Sequence, residues 1–108
     1  FLYVDDMARA AIHLINLKKK NYDKQVSQMC SHINVGSGIE ITLRELAVTL
    51  KEVVDFNGKI NFDLSWPIGS KRKLLDCSKI NKLGFKPKVS LKVGLVRTYK
   101  DFLKRFNK

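Results

Sequence analysis

The order of hydrophobic patterns along this chain predicts an α/β fold, short strands alternating with helices. Two observations carry that expectation. Apolar segments of strand character at residues 1–4, 32–38 and 59–63 alternate with helical stripes, and glycine-containing turns at 36–38, 57–58 and 84 punctuate the series. The chain has 108 residues, one domain's worth or less, and a domain this short buries only ~60 to 70% of the surface that its unfolded form exposes.

Each element follows from its residues. Residues 1–4 read as the end of a buried strand, and Asp5 or Asp6 is placed to cap a helix whose Met7, Ala11, Leu14 and Ile15 share one face. Residues 18–31 are polar, carry Lys18, Lys19 and Lys20, and read as a surface loop. A strand at 32–38 closes on the turn Gly36-Ser37-Gly38. Thr42 and Glu45 have capping-box spacing, each serving the other's backbone N–H, and open a helix with Leu43, Leu46, Ala47, Leu50, Val53 and Val54 along one stripe. Asn57-Gly58 turns the chain into a half-buried strand at 59–63 with Ile60 and Phe62 on one face. After a loop at 66–72, Asp76 or Ser78 caps a short helix that stops at Gly84, ahead of Pro87. Ser90 starts a last helix in which Leu91, Leu95, Tyr99, Phe102 and Phe106 line one side.

Composition excludes several classes. Hydrophobic content of 44% in periodic segments argues against disorder. No apolar run reaches the roughly 18 to 20 residues of a membrane span, and the start lacks the order of a secretory signal. Cys30 and Cys77 are too few for a disulfide framework, which fits a reduced, cytoplasmic setting. The net charge of +11 invites a nucleic-acid partner, yet lysine far outnumbers arginine and the cations are scattered from Lys18 to Lys108 without interleaved aromatics. A solvated lysine surface is the better reading. The opening on Phe1, with no initiator Met and apolar residues running at once into an acidic pair, leads us to expect a piece of a longer protein.

The residues that could carry chemistry are few. His13 and His32 have no cysteine or carboxylate at metal-ligand spacing, and neither cysteine has a base beside it in sequence. Asp5 and Asp6, adjacent on a helix corner, point in different directions and suit capping better than acid/base work. The Gly36-Ser37-Gly38 turn matches neither dinucleotide nor P-loop spacing. The loop at 67–73, Pro-Ile-Gly-Ser-Lys-Arg-Lys, puts three cations on a glycine-containing turn ahead of a helix. It reads equally as a phosphate-closing loop or as a solvated basic turn.

The same stretches resemble the C-terminal part of the GDP-L-fucose synthase family, within the extended short-chain dehydrogenase/reductase superfamily. The resemblance rests on FLYVDDMA at 1–8, HINVGSG at 32–38, ITLRELA at 41–47, and above all PIGSKRKLLDCSKINKLGFKPK at 67–88. It covers nearly the whole chain; the YVDD and LGF-x-P pieces are shared across nucleotide-sugar epimerases, and GSKRKLLD is narrower. It implies residues 1–108 as the C-terminal substrate-binding portion of a Rossmann-type NADPH-dependent epimerase/reductase. Such an enzyme converts GDP-4-keto-6-deoxymannose to GDP-fucose. Lys73 falls on the family's substrate-binding lysine, assigned to the diphosphate end, with Arg72 and Lys71 as phosphate neighbours. Ile68 stands where the family has a substrate-contacting Asp, so that contact passes to the backbone or weakens. The resemblance further implies that NADP(H) and all catalytic residues belong to the N-terminal part, that this chain alone is inactive, and that the intact enzyme is a cytoplasmic homodimer with a GDP-sugar substrate and neither nucleic acid nor membrane as partner. The alternatives are another NAD(P)-dependent nucleotide-sugar epimerase or dehydratase, and a small basic nucleic-acid-binding module.

Overall fold

The structure is a computed structural model and describes residues 1–65, 69 and 72–106. It contains five helices among them: α1 (Val4–Ile15), α2 (Lys19–Asp23), α3 (Leu43–Val53), α4 (Ser78–Lys82) and α5 (Leu91–Phe106). These fall into two compact units, one of Phe1–Ile39 with Leu74–Leu91, the other of Glu40–Lys73 with Lys92–Lys108.

The expected alternation of strands with helices is not realised. Among the described residues there is no strand, only an isolated antiparallel bridge between Ser27 and Cys30. The reason lies in what a period-2 pattern encodes. Ile33 and Val35 do pack on one side against the core of the first unit, as alternation demands. A strand also needs a neighbour to receive its backbone N–H and C=O groups. No such ladder forms at 32–38 or 59–63 among the described residues, so these segments belong to no sheet. At the start, Val4 is already the first residue of α1 and Tyr3 its N-cap.

In the first unit the core consists of Ala10, Cys77, Ile80 and Phe85, with Leu14, Ile33 and Val35 against it. Helix α1 therefore buries a face one position away from the expected one. Asp6 and Ala10 are buried, whereas Met7 and Ile15 are exposed. Asp6 caps nothing. Its carboxylate accepts the backbone N–H groups of Lys88 (3.1 and 3.2 Å) and Val89 (2.9 Å) and the guanidinium of Arg9. Those three donors make burial of a carboxylate tolerable, and a hydrophobicity pattern has no means of showing them.

Helix α4 ends as a Schellman motif at Gly84, with φ of 89°. The amide of Gly84 donates to Asn81 at 3.0 Å and that of Phe85 to Ile80 at 3.2 Å. The turn thereby swings Phe85 onto Ile80, and burying such a ring is worth about 2–3 kcal/mol. The region read as a loop at 18–31 contains α2, one turn of helix held by a Lys19–Asp23 ion pair at 2.7 Å and too short for a periodic signature. Tyr22 donates its hydroxyl to the Ser31 carbonyl and ties that segment down.

In the second unit the capping box forms as expected. Glu45 N–H donates to Thr42 Oγ1 at 3.1 Å, and Thr42 N–H donates to Glu45 Oε2 at 2.8 Å. No residue of the apolar stripe of α3 is fully buried: Leu46, Ala47, Val53 and Val54 are partly covered, whereas Leu43 is 77% exposed. Helix α3 ends at Val53 with Val54 as its C-cap; Asp55, just beyond, has a left-handed φ of 53°, and Phe56 N–H returns to the Lys51 carbonyl at 3.0 Å. Phe62 lies under the Arg44 guanidinium, 4.5 Å from its ring centre. On α5 the expected aromatic side forms: Tyr99 and Phe102 are 6.4 Å apart and Phe102 and Phe106 5.0 Å, centre to centre.

Candidate anion-binding site

Both of the described cations that the sequence marks for substrate, Arg72 and Lys73, lie in the second unit. Ile68 and Lys71 lie outside the described residues. Arg72 is not a loose surface side chain. Its Nε donates to Glu40 Oε1 at 2.8 Å and to Oε2 at 3.0 Å, while its Nη2 stands 2.8 Å from Oε2. This side-on pairing joins residues 32 positions apart and fixes the end of the basic loop to the segment leading into α3. Both partners are largely exposed, so the pair itself contributes only about 0–1 kcal/mol to stability. Its effect is orientation. Lys73, the next residue, is exposed, and its ammonium makes no hydrogen bond or ion pair with the described residues. The arrangement thus presents one oriented guanidinium and one adjacent exposed point charge, the two kinds of cation that suit a phosphate.

Glu40 was invisible to sequence reasoning. A lone carboxylate after Ile39 has no spacing that announces an arginine 32 residues on. The only signal was its sign in a chain of net charge +11.

The histidines and cysteines lie in the first unit. His13 donates from Nε2 to the Leu83 carbonyl at 2.9 Å and lies 5.8 Å from the Phe85 ring. Cys77 is buried, its thiol donating to Leu75 O at 3.5 Å. Cys30, expected to lack a paired base, has Lys79 Nζ at 3.3 Å and His32 Nδ1 at 4.0 Å, a grouping assembled across 49 residues of sequence. Among the described residues no group of three or more His, Cys, Asp or Glu is placed to hold a metal. An open hollow of about 460 Å³ at the end of α3 is lined by Val48, Lys51, Asp55, Phe56 and Ile60 among others, and by none of the expected site residues. In the Gly36-Ser37-Gly38 turn a Cβ on Gly36 would meet Cys77 Sγ at 3.2 Å, so the backbone there faces packed protein, whereas Gly38, with φ of 69°, faces open space.

Comparison with solved structures gives the class. The chain superimposes on a GDP-6-OMe-4-keto-L-xylo-heptose reductase from Campylobacter jejuni with a TM-score of 0.82 and 36% identity, covering 94% of this chain and 29% of that one. A GDP-D-glycero-L-gluco-heptose synthase from the same organism, solved in the presence of NADPH, matches with a TM-score of 0.77 and 35% identity over 91% of this chain and 28% of that one. The fold is thus that of the C-terminal part of GDP-sugar reductases of the short-chain dehydrogenase type.

The curated relatives narrow it. The chain is homologous to GDP-L-fucose synthases, which belong to the extended short-chain dehydrogenase/reductase superfamily. It is 47% identical to GDP-L-fucose synthase of Escherichia coli over 103 residues, 95% of this chain and 32% of that protein. It is 50% identical to the probable GDP-L-fucose synthase 1 of rice over 103 residues, 29% of that protein. The chain therefore spans about a third of the length of the relatives it matches. No protein-family model matches it. Among the described residues no helix is long and apolar enough to cross a membrane.

Proposed function

We propose that this chain is the GDP-sugar-binding portion of a GDP-L-fucose synthase, with Lys73 holding the nucleotide diphosphate and Arg72 beside it. The observation that carries this reading is 47–50% identity to such synthases over 95% of the chain. The exposed Lys73 next to an oriented Arg72 supports it from geometry. In the whole enzyme NADPH supplies the hydride that reduces the 4-keto group of GDP-4-keto-6-deoxymannose after two epimerisations, in the cytoplasm, in a homodimer. This chain contributes none of the reacting groups. It binds the diphosphate, whose charge Lys73 offsets, and so holds the sugar for residues elsewhere, while alone it turns over no substrate.

The test is a titration of GDP into the chain, before and after Lys73→Ala. Loss of a charge-assisted hydrogen bond is expected to weaken GDP binding by about tenfold or more. In the complete enzyme the same change raises KM and leaves kcat nearly intact. An unchanged dissociation constant removes Lys73 from the site. The heptose-active neighbours favour a second reading, the same GDP end with a different sugar, and substrate profiling of the complete enzyme separates the two.

A further inference from the structure

We infer that Glu40 is a positioning residue for the anion site, holding Arg72 so that the outer edge of its guanidinium faces the phosphate beside Lys73. The inference rests on the reading of Lys73 and Arg72 just proposed, and it adds a residue that neither the sequence motif nor the relatives' names point to.

The geometry carries it. A guanidinium has five N–H donors in a planar fork with two usable edges. Glu40 occupies the side-on edge, taking Nε at 2.8 and 3.0 Å and Nη2 at 2.8 Å. The end-on edge, made of Nη1 and the second N–H of Nη2, is left turned away from the carboxylate. That is the edge a diphosphate oxygen pair would engage in a bidentate manner. An arginine without such a partner would have to give up rotamer freedom on binding. Arg72 has already done so, and the cost of ordering it falls on folding rather than on ligand capture. Glu40 sits two residues before Thr42, whose capping box fixes the start of α3, so the carboxylate is carried on a held segment of backbone.

Two effects of opposite sign make the proposal testable. Glu40→Gln removes a negative charge near a bound anion, so on Coulomb grounds alone GDP would bind more tightly. Loss of the charged side-on clamp instead frees Arg72 to wander, and binding weakens. GDP titrated into the full chain by calorimetry is expected to show a dissociation constant about two- to tenfold higher for Glu40→Gln. In an Arg72→Ala background the Glu40→Gln change is expected to add no further loss. The thermal midpoint of Glu40→Gln stays near that of the unsubstituted chain, which separates positioning from a general structural role. Unchanged or tighter GDP binding, or the same loss in the Arg72→Ala background, overturns the assignment of Glu40. Lys73→Ala, measured alongside, shows which claim has failed. A loss there with none at Glu40 leaves the diphosphate site standing without Glu40, and no GDP binding by the unsubstituted chain removes both.

Discussion

Val89 donates its backbone amide to Oδ2 of Asp6 at 2.9 Å, and Lys88 donates to the same carboxylate, so one buried side chain on α1 organises backbone more than 80 residues away. Asp6 is fully buried and Arg9 supplies the compensating charge. Replacing Asp6 with Ala would leave two amides and a guanidinium without their acceptor. The expected loss is about 3–5 kcal/mol in unfolding free energy, read as a lower denaturant midpoint. Asp6→Asn keeps one acceptor oxygen and should lose less. Asp5→Ala, one residue earlier and exposed, should stay within about 0.5 kcal/mol; an equal loss at both positions would refute the role given to Asp6.

The capping box makes a prediction about pH. The Thr42 backbone N–H, and then its hydroxyl, hold the Glu45 carboxyl below its ordinary value of 4.5. The Ser78 backbone N–H likewise holds Asp76 below 3.8. A carboxylate depressed in the folded state stabilises fully above its unfolded pKa, and that contribution disappears as pH falls through the folded value. Stability should therefore be flat in these two groups at neutral pH and decline only below about 4.5. Thr42→Ala should cost about 1 kcal/mol and return the Glu45 titration, followed by NMR, toward its ordinary value.

Two helix ends use one motif with different residues. At the end of α4, Gly84 has φ of 89° and no atom within 4 Å of where a Cβ would stand, so Gly84→Ala strains the backbone alone and should cost about 1 kcal/mol. At the end of α3 the left-handed position is Asp55, φ 53°, with Phe56 N–H returning to Lys51 and Asp55 N–H to Glu52. Asp55→Gly relieves about 1–2 kcal/mol of left-handed strain and gives back part through a freer unfolded chain, for a net gain of about 0.5–1 kcal/mol by denaturant titration. A loss of stability there would mean that the aspartate side chain earns its place.

That pair also marks what was legible in the sequence. Gly84 announces its helix end because only glycine enters the left-handed region freely, whereas Asp55 does the same task silently, leaving Asn57-Gly58 as the visible turn. The capping box at Thr42 and Glu45 and the aromatic side of α5 were readable because both ends of each relationship lie within one or two turns of helix. The strand assignments failed because pairing is a property of two segments and the pattern describes one. Asp6 with Val89, and Glu40 with Arg72, were unreadable for the same reason: a carboxylate's partner is chosen by the fold. Lys73 was legible only through its motif.

The two cysteines, indistinguishable by composition, should differ sharply toward alkylation. Cys77 is 7% exposed, packs in the core with Ala10, Ile80 and Phe85, and has the backbone of Gly36 against its sulfur. Reaching it requires local opening of the first unit. Cys30 is half-buried at the tight Ser27–Cys30 turn, with the Lys79 ammonium 3.3 Å from Sγ to attract an anionic reagent. Under native conditions iodoacetate should label Cys30 first, by at least about tenfold in rate, and Cys77 only as denaturant is added. Lys79→Met should slow Cys30 labelling while leaving Cys77 protected. If peptide mapping found Cys77 modified first, the core of the first unit could not be packed around it as described.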